Sequence, residues 1–459
     1  MTQQKEKLKR SVSRRDFLRS SIPTALSVSI APRWILGGPG FIPPSERVNI
    51  GGIGAGGMGG GDIHSMASHG ARIVALCDVN EKQAAGTFSA FPAAKRYKDF
   101  RLMLEKEEKN IDAVTVGIPD HVHAPATMAA IRMGKHVYCE KPLTHTIHEA
   151  RQVTAAAKEH KVATQMGNQG HASEGARLTN EWIRAGVIGD VRVVHVWTDR
   201  PGTYWKQGID RPKETPPTPA TLAWDLWLGP APRRPYHATY LPVKWRAWWD
   251  FGTGALGDMG CHIIDHPYWA LELDHPTSVE STTTFAGSSI GGRFNNETYP
   301  IAAVTTFEFP ARGSRPPVTM IWHDGGLMPS TPAEMPPGRS LPSNGALYVG
   351  SKGALYHSSH GGMPNVLPVE LMEEARAVPQ TMPRSIGHHK EWLEACKGGT
   401  TPVSNFGYSG PMTEVVLLGN LAMRAPRRRL EWDPENMRVK NIPELNQYVH
   451  REYRKGWIL

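Results

Sequence analysis

The sequence predicts an α/β protein of two domains. A parallel sheet covered by helices on both faces comes first, and an open, mainly antiparallel sheet with helices on one side follows. Three observations carry this. Residues 46–165 alternate short, wholly apolar runs with helical patterns, and strands without a polar face belong to parallel sheets buried on both sides. Later segments such as "VRVVHVWT", "IAAVTTFEF" and "PPVTMIWHD" alternate in character and are spaced by long loops, as half-buried strands are. Finally, the first apolar run leads straight into "GIGAGGMGGG", a glycine-rich turn where a strand hands over to a helix.

In order, "RVNIGGIG" reads as a strand, "GGGDIHSMASHG" as a helix with a glycine exit, and "ARIVALCDV" as the next strand. "IDAVTVGIP", "PATMAAIRMG", "KHVYCEKP", "HEARQVTAAAKEHK" and "VATQMGN" continue the alternation of strand and helix. In the second half "TSVESTTTFAG" adds a strand, "GALYVGSKGALYH" reads as a hairpin, and "IGHHKEWLEACKGG" and "SGPMTEVVLLGNLAMRA" as helices. Proline-rich stretches at 211–235 and 329–343 read as loops. The expected division is a signal and linker over 1–42, a dinucleotide domain over 46–165, a substrate and oligomerisation domain over 166–425, and a tail over 426–459.

The 459 residues, 40% hydrophobic and 21% charged, suit a globular enzyme. The net charge of +9 is concentrated at the start: residues 1–42 hold eight Lys/Arg and two acids. The body therefore carries little excess charge, and no nucleic-acid partner is expected. The start itself, "SVSRRDFLRSSIPTALSVSIA", reads as a twin-arginine (Tat) export signal. The Tat machinery is thus an expected partner, and the location expected is the periplasm or the outer face of the inner membrane. Cys77, Cys139, Cys261 and Cys396 lie far apart without metal-type spacing and are expected to be free.

Gly54-Ala55-Gly56-Gly57-Met58-Gly59 fits G-x-G-x-x-G, and Asp78 ends the next strand 19 residues beyond Gly59. Gly54 permits the tight turn, Gly56 lets backbone approach a pyrophosphate, and Gly59 lets helix and strand pack closely. The helix N-terminus then faces the phosphates. Asp78 would accept from the ribose hydroxyls and repel a 2′-phosphate, which favours NAD over NADP.

"GIPDHVHAPATMAAIRMGKHVYCEKPLT" together with "GTGALGDMGCHIIDHPYWAL", "SKGALY" and "HHKEWLEACKGG" resembles the Gfo/Idh/MocA family of NAD(P)-dependent sugar oxidoreductases. The resemblance covers roughly residues 46–425 in order. It implies an N-terminal Rossmann dinucleotide-binding domain and a C-terminal α/β domain whose sheet carries substrate and pairs subunits into a homo-oligomer. It further implies that Glu140, Lys141 and Pro142 form an E-K-P element in which Lys141 reaches both nicotinamide and substrate. Pro119 and His123 would line the cofactor, and Asp258 and His262 would meet Lys141 across the cleft.

These residue types make a coherent chemistry. Oxidising a secondary alcohol needs a hydride acceptor, a base and a donor for the developing alkoxide. His262 suits the base, Asp258 one helical turn earlier would orient it, and Lys141 would stabilise the alkoxide. No metal is expected beside Lys141. Substrate contacts are expected from Asn168, His171, Tyr204, Trp205 and Arg246, with some of Trp197, Trp205, Trp224, Trp227, Trp245, Trp248 and Trp249 stacking on sugar C–H faces. The expected activity is NAD(P)-dependent oxidation of a sugar, glycoside or polyol hydroxyl with tightly held cofactor. The alternative, as in NAD-dependent α-N-acetylgalactosaminidases, is redox-neutral hydrolysis through transient ring oxidation. It needs a further acid or base, for which His171, His237 and Tyr204 are candidates.

Overall fold

The computed structural model describes residues 46–285 and 294–459; the twin-arginine segment lies outside them. Val48–Leu459 form one compact unit containing two sheets. In the first, β1 (Asn49–Ile53), β2 (Arg72–Cys77), β3 (Lys95–Tyr97), β4 (Ala113–Val116), β5 (His136–Cys139) and β6 (Thr164–Met166) run parallel in the order β3-β2-β1-β4-β5-β6. The helices between them are α1 (Gly57–Ser68), α2 (Glu81–Ala90), α3 (Phe100–Lys106), α4 (Asp120–Arg132) and α5 (Ile147–His160). The order reverses at β1, so the crevice outside the strand ends opens between β1 and β4. All four β4 residues are buried, as a strand covered on both faces requires.

Local chemistry marks where the helices begin. Asn80 caps α2 by accepting from Gln83 N. Thr146 and Glu149 form a reciprocal capping box on α5, satisfying two orphan amides at once. Glu149 also receives Arg451 Nε at 2.9 Å and the Tyr453 hydroxyl at 2.6 Å, tying the chain's end to this helix.

The C-terminal part contains α6 (Glu174–Arg184), β7 (Val191–Trp197), α7 (Trp224–Leu228), α8 (Gly254–Ile263), α9 (Asp265–Ala270), β8 (Ser278–Thr283), β9 (Ala303–Phe309) and β10 (Val318–His323). It continues with β11 (Gly345–Gly350), β12 (Ala354–Ser358), β13 (Asn365–Leu367), α10 (Leu371–Ala377), α11 (His388–Cys396), α12 (Phe406–Ala422), β14 (Leu430–Asp433) and β15 (Arg438–Val439). Among the described residues its strands lie in the order β13-β12-β11-β7-β10-β9-β8-β14-β15, all antiparallel neighbours except β7 and β10. β9 alternates buried and half-buried residues along its length, the pattern of a sheet with one covered face.

The seam between the two parts is formed by α5 and α12. Arg151 donates to both carboxylate oxygens of buried Glu414, each at 2.7 Å. Residues 426–459, read from sequence as a tail, are integral. They supply β14 and β15 to the large sheet and then return to the dinucleotide domain, where Trp457 packs against Phe100. All four cysteines are free. Among the described residues no helix is long and apolar enough to cross a membrane.

Candidate active site

The largest concentration of sequence-singled residues surrounds one crevice of about 1180 Å³, part of it open to solvent. Gly54, Gly56, Gly57, Met58, Asp78, Pro119, Glu140, Lys141 and Arg246 all line it. At its base the β1–α1 turn is held by contact. Gly54 has φ 88°, and a Cβ on Gly59 would lie 2.3 Å from Gly54 O and 2.8 Å from Gly117 O. No larger residue fits at Gly59. Helix α1 starts without a side-chain cap and without an acidic residue in its first turn, leaving its positive end available to an anion. The crevice, the cradle and the uncapped helix fit a dinucleotide diphosphate.

Asp78 has a second duty that its position alone did not reveal. Its Oδ2 accepts from the amides of Ala55 (2.9 Å) and Gly56 (3.2 Å), and its Oδ1 accepts from Asn80 N at 2.8 Å. The carboxylate therefore shapes the glycine turn as well as facing the crevice. Lys98, not foreseen, lines the same end and pairs with Glu81 at 2.9 Å.

The other end of the crevice is charged. Lys141 follows β5 and its ammonium donates to Asp258 O and Oδ1, both at 2.8 Å. Arg246 Nε donates to the same Oδ1 at 2.8 Å. Burial alone would raise the Asp258 pKa, but the two cations outweigh it and hold the carboxyl well below the usual range. Asp120, at the first turn of α4, also lines this region. Burial pushes its pKa up to about 7, against the pull of Arg246 and a hydrogen bond from Thr253. Asp120 belongs to the "GIPDHVH" segment, and its proximity in space to Lys141 and Arg246 marks it.

Behind Lys141, Glu140 accepts from Gln169 Nε2 at 2.9 Å. It also hydrogen-bonds Asp62 of α1, whose Oδ1 meets His389 Nε2 at 3.0 Å. Burial pushes both carboxyls up to about 8, the charge of Asp62 adding to the rise at Glu140 and the hydrogen bond to Glu140 opposing it at Asp62, so this pair holds a proton through neutrality.

Several expectations need correction. His262 does not form a dyad with Asp258, whose carboxylate is taken by two cations. A full charge attracts a buried carboxylate more strongly than a neutral imidazole does. The His262 ring is buried, its Nδ1 has no partner, and burial followed by Lys141 pushes its pKa well below the ordinary value. His123 sits behind the crevice wall, with its ring nitrogens against Pro142 O (2.7 Å) and Ile118 O (2.6 Å). There it braces the E-K-P turn instead of touching cofactor.

Asn168 is fully buried and accepts from Ser404 Oγ at 2.5 Å. His171 is buried too, stacked on Trp269 and held by Asp265 at 2.9 Å. Both lie within the packing, not on a substrate surface. Trp205 is buried, with its indole N–H given to Gln207, and backs Arg246. Tyr204 remains exposed, with the Arg200 guanidinium 3.6 Å above its ring. The dense tryptophans divide: Trp227 and Trp245 line the crevice, while Trp197, Trp224, Trp248 and Trp249 pack against protein. Trp457, from the far end of the chain, is a further wall. Among the described residues no group of His, Cys, Asp and Glu is arranged to hold a metal ion.

A glycine-turn crevice on a doubly wound sheet, closed by a second domain that brings a carboxylate to the E-K-P lysine, defines a Rossmann-type dinucleotide-binding protein. The chain belongs to the Gfo/Idh/MocA oxidoreductase family. Residues 48–168 match the family's NAD-binding Rossmann domain and residues 178–290 its C-terminal α/β domain. It is similar to a levoglucosan dehydrogenase from Pseudarthrobacter phenanthrenivorans, 25% identical over 48% of this chain and 50% of that one. It is also similar to an inositol 2-dehydrogenase from Rubrobacter xylanophilus, 35% identical over 25% of this chain and 33% of that one. The matches thus span half or less of these curated relatives. Among solved structures, an aldose-aldose oxidoreductase from Caulobacter crescentus shares the fold with a TM-score of 0.54 and 16% identity, covering 84% of this chain and 100% of that one.

Proposed function

We propose that the protein is an NAD-dependent oxidoreductase acting on a secondary hydroxyl of a sugar, glycoside or polyol. The observation that carries this is the Lys141–Asp258–Arg246 cluster at the inner end of the dinucleotide crevice. NAD, when bound, would accept the hydride. The glycine turn, the α1 terminus and Asp78 would hold its diphosphate and ribose. Lys141, fixed at both ends of Asp258, would present a donor to the hydroxyl oxygen and stabilise the alkoxide as charge develops. Arg246 would keep Asp258 ionised and so keep Lys141 in place. Trp227 and Trp245 offer apolar faces to ring C–H groups. The dehydrogenase names of the relatives support the same substrate class.

The preference for NAD over NADP rests on Asp78, whose charge would repel a 2′-phosphate, against Lys98 on the same side. Export through the Tat machinery to the periplasm, and homo-oligomerisation through the large sheet, complete the proposal. Tat substrates cross folded, so the cofactor would be loaded first and retained. Retention makes redox-neutral turnover, including hydrolysis by transient oxidation, the second reading.

The test is to denature purified protein and identify the nucleotide released, then to incubate native protein with a sugar, polyol and glycoside panel without added NAD. A keto product supports oxidoreduction, and free sugar from a glycoside supports hydrolysis. Absence of any nucleotide would sink the retained-cofactor reading. Replacing Arg14 and Arg15 by Lys should leave the protein in the cytoplasm, and light scattering reads the oligomer.

A further inference from the structure

The dinucleotide crevice has one wall that comes from neither sheet. Residues 451–459 follow β15 in the chain and lie in no strand or helix. They run back over the first domain, where Trp457 lines the crevice next to Phe100. The indole is half-buried, and its ring centroid lies 6.0 Å from that of Phe100.

The order of the strands says which part of a nucleotide reaches this wall. The glycine turn follows β1 and Asp78 follows β2. Asp78 N donates to Tyr97 O at 3.1 Å, so Lys98, Asp99 and Phe100 come out beside Asp78, on the side away from the glycine turn. A nucleotide with its diphosphate on the glycine turn and its ribose at Asp78 therefore carries its base toward this edge. Phe100 and Trp457 supply the aromatic surface that a planar base needs there.

The strap is tied to both parts of the molecule. On the first-domain side, Arg101 of α3 donates to Gly456 O at 3.1 Å, and its guanidinium lies 4.4 Å from the Trp457 ring. Its charge is met by Asp99. Arg132 of α4 donates to Leu459 O at 2.7 Å. On the side of α7, Arg454 donates to Asp225 O at 2.8 Å and Gly229 O at 3.0 Å, and it pairs with the Asp225 carboxylate. Asp225 and Gly229 bracket Leu226 and Trp227, which line the same crevice. The strap thus fastens two walls of the crevice together. Its ties are side-chain hydrogen bonds outside any sheet or helix ladder, so it can come undone without unfolding either domain.

Resting on the NAD reading above, we propose that residues 451–459 are a nucleotide clasp. Trp457 covers the base of the bound dinucleotide, and release of the strap lets the nucleotide leave. Contact with the base adds affinity, while the ties of Arg101 and Arg454 slow dissociation. The clasp reads the adenosine half, so ADP-ribose gains from it as NAD does and nicotinamide mononucleotide gains nothing.

The experiment compares wild type, Trp457→Ala, Trp457→Phe and Arg454→Ala. Bound nucleotide is quantified by mass spectrometry before and after prolonged dialysis. Stripped protein is then titrated calorimetrically with NAD, ADP-ribose and nicotinamide mononucleotide. Trp457→Ala should lose its nucleotide on dialysis and bind NAD and ADP-ribose about 10-fold more weakly, with its affinity for nicotinamide mononucleotide unchanged. Trp457→Phe should keep most of the affinity, and Arg454→Ala should release nucleotide faster than wild type. Unchanged retention and affinity in Trp457→Ala overturn the clasp, as does a loss that falls equally on nicotinamide mononucleotide. An Arg454→Ala variant that releases nucleotide no faster overturns the role of the ties. A wild type that carries no nucleotide and binds neither NAD nor ADP-ribose instead overturns the parent reading, and the clasp with it.

Discussion

The buried wall behind the E-K-P turn and the crevice end in front of it manage charge in opposite ways. Behind the crevice wall, at the E-K-P turn, the buried groups are neutral. Asp62 and Glu140 hold a proton between them, and burial pushes the His123 pKa down to about 4. At the substrate end, charge is kept: Asp258 stays ionised between Lys141 and Arg246, all within hydrogen-bonding distance. A buried charge survives only where it is paired. A diphosphate brings its own charge and needs only amides and an uncapped helix end, whereas a developing alkoxide needs a cation already in place. Under the proposed function the glycine turn recognises the nucleotide and the Lys141 cluster carries the chemistry.

Lys141→Met should break the comparison most severely. It removes the donor at the charged end, with an expected loss of about 10²–10⁴-fold in turnover and nucleotide content unchanged by mass spectrometry. Asp258 is then left buried with one partner, at a cost of up to about 3–5 kcal/mol. Adding Asp258→Asn should recover thermal stability without recovering turnover. If the double variant regains activity, the charged end is structural only.

Gly59→Ala attacks the dinucleotide cradle. The added Cβ meets backbone oxygens of Gly54 and Gly117, so the turn must shift, and purified protein should carry no nucleotide. Retained nucleotide would show that the cradle is elsewhere.

A finer test uses pH. The Asp62–Glu140 pair is raised in the folded protein, so the fold binds more protons than the unfolded chain between about pH 4 and pH 8. Stability should therefore fall as pH rises through that window, and Asp62→Asn should flatten the fall. The expected difference in melting temperature between pH 6 and pH 8 is small, roughly 2–4 °C.

The dinucleotide end was legible because its parts are consecutive. The glycine turn, the strand-end Asp78 and the E-K-P element follow one another along a βαβ pattern whose burial repeats. The charged end was legible in its residues but not in its pairing. Helical spacing suggested that Asp258 serves His262, whereas topology carries Lys141 and Arg246 to the same oxygen, and cations win. Asn168 and His171 looked like cleft residues because they follow β6, yet Ser404 and Asp265 draw them into the interior. Trp457 gave no local signal. It reaches the site through a return of the chain after β15.

The most direct measurement follows a label from substrate to nucleotide. Purified protein is incubated with sugars and polyols deuterated at their secondary carbons, quenched, and the released nucleotide analysed by mass spectrometry. Transfer of deuterium to the nucleotide by wild type, and its near-absence with Lys141→Met, is the expected result. A wild type that holds NAD yet never labels it, or a Lys141→Met variant that labels as fast, would contradict hydride transfer at this cluster.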